Sequence, residues 1–467
     1  MRNRRISSFL LAASLFGLPM AVASSRQPPE APANWETTDD PRRVPIPPPD
    51  RSKEPLLVLR GGTLIDGTGA APIANAMVVM QGDRIVEAGP SSRVQAPAEA
   101  RVVSVDGLYV VPGLIDLHLH FTQQRGDDFG RYRDSDAASA VRGMLLVEQL
   151  LDGGITAVRD VGTRNDVALK LKEAVERKMI QGPRIFWSGQ LIASRGGHGD
   201  ETTSTATGRP RAADEARVRI ATGPDDWRLA VREQIRNGAD WIKITAPYSR
   251  EEVAAAVDEA HQHGIKVAAD AFGEFVDMGA EAGLDSLEHP LDVSDEGIAL
   301  MKRHGTSFVP TMTAFYNVIH TGYPPASIPP GGFYFTMSRR FPVTHDGIMS
   351  VLSRARAAGL LVGIGTDIPF ENEKRYPSDY FVELRLFKEA GYTDAEILYA
   401  ATRDGGKILG IEDKLGTLEK GKLADILVVS GNPLEDYKNL ENLRLLVADG
   451  EIVRDRLGRS PTTSGSR

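Results

Sequence analysis

The chain has no cysteine among its 467 residues, so it can form no disulfide and offers no thiolate to a metal. Any metal it binds must sit on histidine, carboxylate or a modified lysine. Positive charge is also short. Against 63 Asp and Glu stand 55 Lys and Arg, a net charge of -8, and no basic stripe runs along the chain. That balance argues against a nucleic-acid partner. Hydrophobic content of 41% and charged content of 25% are ordinary for a globular protein, and the length suits one large barrel with a smaller satellite.

The first residues read as an export signal. Arg2, Arg4 and Arg5 precede a mostly apolar run at 6–22, and Ala21-Val-Ala23 offers a small-x-small cleavage site before Ser24. The run is short and broken by Pro19, which favours cleavage after residue 23 over a retained anchor. A periplasmic or secreted protein with no stable membrane insertion after cleavage is expected. The absence of cysteine rules out a lipoprotein signal, while Arg4-Arg5 leaves the twin-arginine route open. Residues 24–54 are rich in proline and poor in apolar residues, an extended disordered tether; 457–467 read as a disordered tail.

Strand patterns at 56–59, 77–80, 84–88 and 102–105 have a counterpart near the other end, at 416–429 and 445–453. Neither half alone could bury much core. Residues 55–111 and 413–456 are therefore read as one composite β-sandwich, with 112–412 inserted between its halves. Inside the insert, apolar strands at 114–120, 156–161, 184–188, 241–245, 266–271, 286–289, 306–311 and 361–366 alternate with helical stretches such as 136–151, 166–178, 250–263 and 343–358. This alternation signals βα units and a parallel sheet, and eight strands in about 250 residues is the size of a (β/α)8 TIM barrel. Active sites on that fold gather at the carboxyl ends of the strands.

Charged residues do gather there. The stretch Pro112-Gly-Leu-Ile-Asp-Leu-His-Leu-His120 ends in two histidines that strand alternation points to one side. Lys243 lies within the apolar Trp241-Ile-Lys-Ile-Thr245, Asp270 in Val267-Ala-Ala-Asp-Ala271, His289 in Leu287-Glu-His-Pro290, and Asp367 closes Ile364-Gly-Thr-Asp367. Singly, each has a structural account as a rim lysine, a helix cap or a satisfied core histidine. Jointly, charges on so many strand ends need one another, and a metal cluster reconciles them.

These segments, with Gly154-Ile-Thr-Ala-Val-Arg-Asp-Val-Gly162, Gly196-Gly-His-Gly199, Ser286-Leu-Glu-His289 and Gly421-Lys-Leu-Ala-Asp425, resemble the amidohydrolase superfamily, in particular its imidazolonepropionase-like and Xaa-Pro-dipeptidase-like metal-dependent hydrolases. The resemblance runs over residues 56–454. It implies that His118, His120 and Asp367 hold one divalent metal, zinc being expected, and that Lys243 is carbamylated and bridges to a second metal roughly 3.5–4 Å away. His289 matches a ligand of that second ion. The other ligand in the family is a histidine where this chain has Asp270; the aspartate either ligates the ion or leaves the site loose or empty, and ligation is favoured because an unpaired buried aspartate is costly. His261 and His263 precede the strand and cannot substitute.

The resemblance further implies hydrolysis of an amide-type C–N bond in a small molecule such as a dipeptide or N-acyl amino acid. Asp367 would act as general base and then acid, and His198 would act on the substrate carbonyl or carboxylate. Tyr248 and Arg195 are candidates for holding a substrate carboxylate. Residues 313–320, with Phe333, Tyr334 and Phe335 beyond, are read as an insertion forming a lid or apolar wall. Two alternatives stay open: a mononuclear deaminase or cyclic-imidate hydrolase, against which Lys243 stands, and a periplasmic binding protein whose catalysis was impaired along with the family's strand-five histidine. One or two metals per chain fit the first two readings. The oligomeric state, a homo-oligomer included, is left open.

Overall fold

Each parallel strand is a short run apolar on both faces, as a strand sandwiched between other layers must be. The computed structural model describes residues 51, 53–122, 135–195, 197–198, 217–290, 292–320, 344–368 and 376–458. All of them fall in one unit, Asp50–Arg467. The expected signal peptide, most of the proline-rich tether, the tail beyond Gly458, and Phe333, Tyr334 and Phe335 lie outside the described residues. Within the stretch read as a tether, Arg51 is not loose: its guanidinium pairs with Glu54 and, at 3.0 Å, with Asp449.

The fold is mixed α/β. Strands Leu114–Leu119, Ile155–Asp160 and Arg184–Trp187 form one parallel sheet. A second runs in the order Val218–Ala221, Leu191–Ser194, Trp241–Thr245, Lys266–Asp270, Ser286–Glu288, Ser307–Val309, also parallel throughout. Its register sets Thr245 beside Asp270 and Asp270 beside Glu288, so the polar strand ends lie level. The strands Leu191–Ser194 and Val218–Ala221 were not expected from the sequence.

The expected strand at 361–366 does not form. Among the described residues the parallel sheets stay separate, and this segment carries only isolated bridges, Phe308 to Val362 and Leu119 to Ile368. Its backbone still bonds to both neighbours, Gly363 N to Phe308 O and Leu117 N to Ile364 O. Gly363 and Gly365 explain the irregularity. A Cβ at 363 would lie 2.3 Å from Leu117, and one at 365 would lie 2.4 Å from Val309 and 2.9 Å from the His118 Cβ. Glycine lets the chain pass this close, at the cost of regular pairing.

Helices cover the parallel strands. Arg250–Gln262 shows how the sequence makes one: Ser249 and Glu252 form a reciprocal capping box, Val253, Ala256, Val257 and Ala260 are buried along one stripe, and Gly264 ends it at φ 68°. Removing such a cap costs about 1 kcal/mol. A separate five-stranded sheet takes strands from both ends of the chain, in the order Glu451–Asp455, Leu443–Ala448, Ile426–Val429, Tyr109–Pro112, Thr63–Leu64. A four-stranded sheet built on Leu56–Arg60 and Ala76–Gln81 shares its core: Leu57, Val78 and Met80 of one sheet meet Val110, Ile426 and Leu445 of the other.

The helix Met312–His320 falls on part of the segment read as an insertion. Its first N–H groups, those of Met312 and Thr313, donate to the buried carboxyl of Glu383 at 3.0 and 2.6 Å. Burial pushes Glu383 up to about 8 from 4.5. The folded chain therefore holds a proton that the unfolded chain releases between those values, and stability falls as pH rises through this window, by at most roughly 1.4 kcal/mol per pH unit. Glu383→Gln is expected to flatten that fall. Thermal melts at about pH 5.5 and pH 8 check it, and an equal pH dependence in both proteins would refute the assignment.

Candidate metal centre

Strand alternation decides the first pair. Leu117 and Leu119 turn into apolar clusters, while His118 and His120 turn together toward Asp367, their Nε2 atoms 3.5 and 3.0 Å from Asp367 Oδ1. These three residues form one group of candidate metal ligands. His118, Asp270 and His289 form another, and within each group the ligand atoms lie within 4.8 Å of one another. His118 belongs to both.

The histidine tautomers are set from behind. His118 Nδ1 lies 2.7 Å from the Glu288 carboxylate, His120 Nδ1 lies 2.9 Å from the Gly162 carbonyl, and His289 Nδ1 bonds the Thr311 hydroxyl. Carboxylate and carbonyl oxygens only accept, so His118 and His120 donate from Nδ1 and turn Nε2 toward Asp367. Burial, and then the charge of Lys243, hold the His118 imidazole well below its usual range, hence neutral. A neutral imidazole is the form that binds a metal.

Lys243 and Asp270 make the most charged part of the cluster. Lys243 Nζ is 2.6 Å from Asp270 Oδ1, and both residues are buried. The pair is ionic by distance, yet neither atom has a partner with hydrogen-bond angles. Burial alone would raise the Asp270 carboxyl; the Lys243 ammonium, then His289 and His198, overcome this and hold it well below the usual carboxylate range. His289 Nε2 lies 3.2 Å and His198 Nε2 3.5 Å from Asp270. The buried Asp270 Oδ1, without a hydrogen bond and set amid imidazole nitrogens and carboxylate oxygens with no thiolate, fits a divalent cation bound through imidazole and carboxylate, which Lys243 could join only as an uncharged or carbamylated amine.

The backbone around the cluster is unusual. His289, Thr311 and Asp367 adopt left-handed conformations with φ of 51°, 50° and 56°. Such residues cost roughly 1–3 kcal/mol each and gather at functional sites. All three touch the cluster directly or through one hydrogen bond.

Every candidate ligand read from the sequence is thus brought together, and His198 stands at the edge of the group. Arg195 is exposed, and Tyr248 is buried with its hydroxyl donating to the Phe275 carbonyl at 2.8 Å, so the structure engages neither with the ligands by hydrogen bond. Burial raises the Tyr248 phenol well above its ordinary value. His261 and His263 pair instead with Asp285 and Glu259. Phe315 sets its ring edge-on to His289, centroids 5.8 Å apart, as one aromatic wall of the site.

Several residues that support the cluster received no role from sequence. Glu288 stands behind His118, and Arg159 bonds Glu288 at 2.7 Å. Asp116 accepts from the N–H groups of His118 and Thr366, from the Thr366 hydroxyl and from Tyr376, tying the first strand to the segment that carries Asp367. Burial pushes Asp116 up to about 6. The available signal was a charge inside an otherwise apolar strand, present in Arg159, Glu288 and Asp116 alike.

The model of the amidohydrolase family matches residues 109–453. Ochratoxinase of Aspergillus niger is 27% identical over 417 residues, covering 82% of this chain and 83% of its own. A crystal structure of a Xaa-Pro dipeptidase with methionine bound in the active site is similar at TM-score 0.76 and 29% identity, over 85% of this chain and 100% of that one. A prolidase complexed with N-methylphosphonate-L-proline is similar at TM-score 0.75 and 28% identity, over 86% and 100% of the two chains.

Proposed function

Since the chain belongs to the amidohydrolase family and is a hydrolase acting on carbon–nitrogen bonds, we propose that it cleaves the amide bond of a dipeptide or N-acyl amino acid with the help of one or two divalent ions, zinc first. The observation that carries this reading is the sharing of His118 between two three-residue groups at the strand ends. In the same reading the two parallel sheets are arcs of one (β/α)8 barrel, for which the bridges at Val362 and Ile368 speak. The five-stranded sheet drawing on both chain ends and the four-stranded sheet that shares its core would be one composite domain.

His118, His120 and Asp367 would hold one ion. Asp270, His289 and Lys243, the last as a carbamate once carbon dioxide has added to Nζ, would hold the other. When bound, such ions lower the pKa of water and polarise a carbonyl. The chain supplies the rest. Asp367 turns Oδ1 to the two histidines while Oδ2 lies 4.0 Å from His289 Nε2, so one oxygen can serve as ligand and the other can take a proton from the attacking water. The same oxygen then returns the proton to the leaving nitrogen. His198 orients the substrate carbonyl or carboxylate from the rim, and Phe315 excludes solvent beside His289. An amino-acid substrate is favoured by the bound methionine and the proline phosphonate in the similar structures. Export to the periplasm or medium is part of the proposal, and the mature N-terminus tests it.

Chelator-stripped protein is expected to be inactive on a panel of Xaa-Pro dipeptides and N-acyl amino acids and to regain turnover with zinc. Elemental analysis should find between one and two ions per chain. Asp270→His is expected to raise occupancy of the second site. Turnover that survives full removal of metal would end this reading.

A further inference from the structure

We infer that Glu288, braced by Arg159, is a positioning residue for the metal centre, fixing the ring and proton of His118, the histidine common to both candidate groups. The inference rests on the reading that ions bind there. Glu288 itself does not face the donors. Its Oε2 takes His118 Nδ1 at 2.7 Å, and its Oε1 takes Arg159 Nη2 at 2.7 Å together with the Ser286 hydroxyl. Arg159 also donates through Nε to the carbonyl of Leu117 at 2.7 Å, one residue before His118. One guanidinium therefore ties down both the backbone that carries the histidine and the carboxylate behind its ring. Arg159 and Glu288 are both 0% exposed, and the guanidinium lies 4.4 Å from the Trp241 ring centre.

A packing role does not explain this arrangement. Burying an ion pair costs desolvation that an apolar pair of similar volume avoids, so packing alone would favour the apolar pair. Among the three cluster histidines the supports are graded: a carboxylate for His118, a backbone carbonyl for His120, a hydroxyl for His289. The charged support stands behind the one histidine common to both groups. A carboxylate behind a ligating histidine fixes its tautomer and raises its basicity, and losing such a partner typically costs 10–100-fold in metal affinity.

The test titrates zinc into chelator-stripped protein against a competing chromophoric chelator. E288Q keeps the size and removes the charge; E288D keeps a partner for Arg159 but is one methylene too short to reach Nδ1. Both are expected to weaken the zinc equivalent held by His118, His120 and Asp367 by roughly 10–100-fold, with altered absorption of the cobalt-substituted protein. T311A should weaken only the equivalent that includes His289. If H120N binds zinc like the wild type, the metal reading itself falls, and the positioning role with it. If H120N loses zinc while both Glu288 variants hold it within threefold of the wild type, the positioning role alone is overturned. Should E288Q fail to fold, E288D decides by the same threshold.

Discussion

Asp367→Asn is expected to lower kcat by about 10³-fold on any amide the protein turns over, within the range that loss of a general base commands. The substitution keeps shape and volume and removes one proton-accepting oxygen. Asp367 sits at φ 56°, a conformation asparagine also tolerates, so the backbone has no reason to move. An unchanged far-UV spectrum and unchanged zinc content beside the lost turnover would separate proton transfer from folding and from loss of metal. The prediction fails if the variant keeps more than about a tenth of wild-type kcat, for then no proton passes through this carboxylate.

The second large effect falls on stability. Lys243→Met leaves Asp270 buried without its ammonium, and breaking a buried pair in this way costs about 3–5 kcal/mol. His289 and His198 remain beside the carboxylate and place the expected loss at the lower end of that range. The double variant Lys243→Met, Asp270→Leu should recover most of it, because two apolar groups replace two charges. Denaturant unfolding of the metal-free proteins reads both. A single variant as stable as the wild type would mean that the pair carries no folding energy and that the lysine stays in water's reach.

The candidate ligands stood out in the sequence because each is a polar residue within or just after an apolar run, where period and position suffice to single it out. Glu288 shows why their support did not. On a regular strand it should face away from its neighbour His289, yet both reach His118, Glu288 at 2.7 Å and the His289 ring at 4.5 Å between centroids. The left-handed backbone at His289 breaks the alternation, and no pattern of residue types announces it. Asp116 was hidden differently, since its partners Thr366 and Tyr376 lie far along the chain. The strand expected at 361–366 failed for a local reason. Its glycines were read as part of an apolar run, although their lack of a Cβ serves close passage past Leu117, Val309 and His118. Tyr248, expected from its place after a strand to hold a substrate carboxylate, has its ring against Trp227 and Phe275 and its hydroxyl on the Phe275 carbonyl.

The pairing of Tyr109–Pro112 with Ile426–Val429 also dictates when the protein can be completed during synthesis. Translation adds about 5–20 residues per second, so strands made early wait roughly tens of seconds for partners encoded about 300 residues later. Throughout that delay the faces bearing Val110 and Leu57 lack the Ile426 and Leu445 side chains that later cover them. Aggregation during biogenesis is therefore expected to concentrate in this interval, and holdase chaperones that shelter a half-made sheet are expected to improve the yield of active protein.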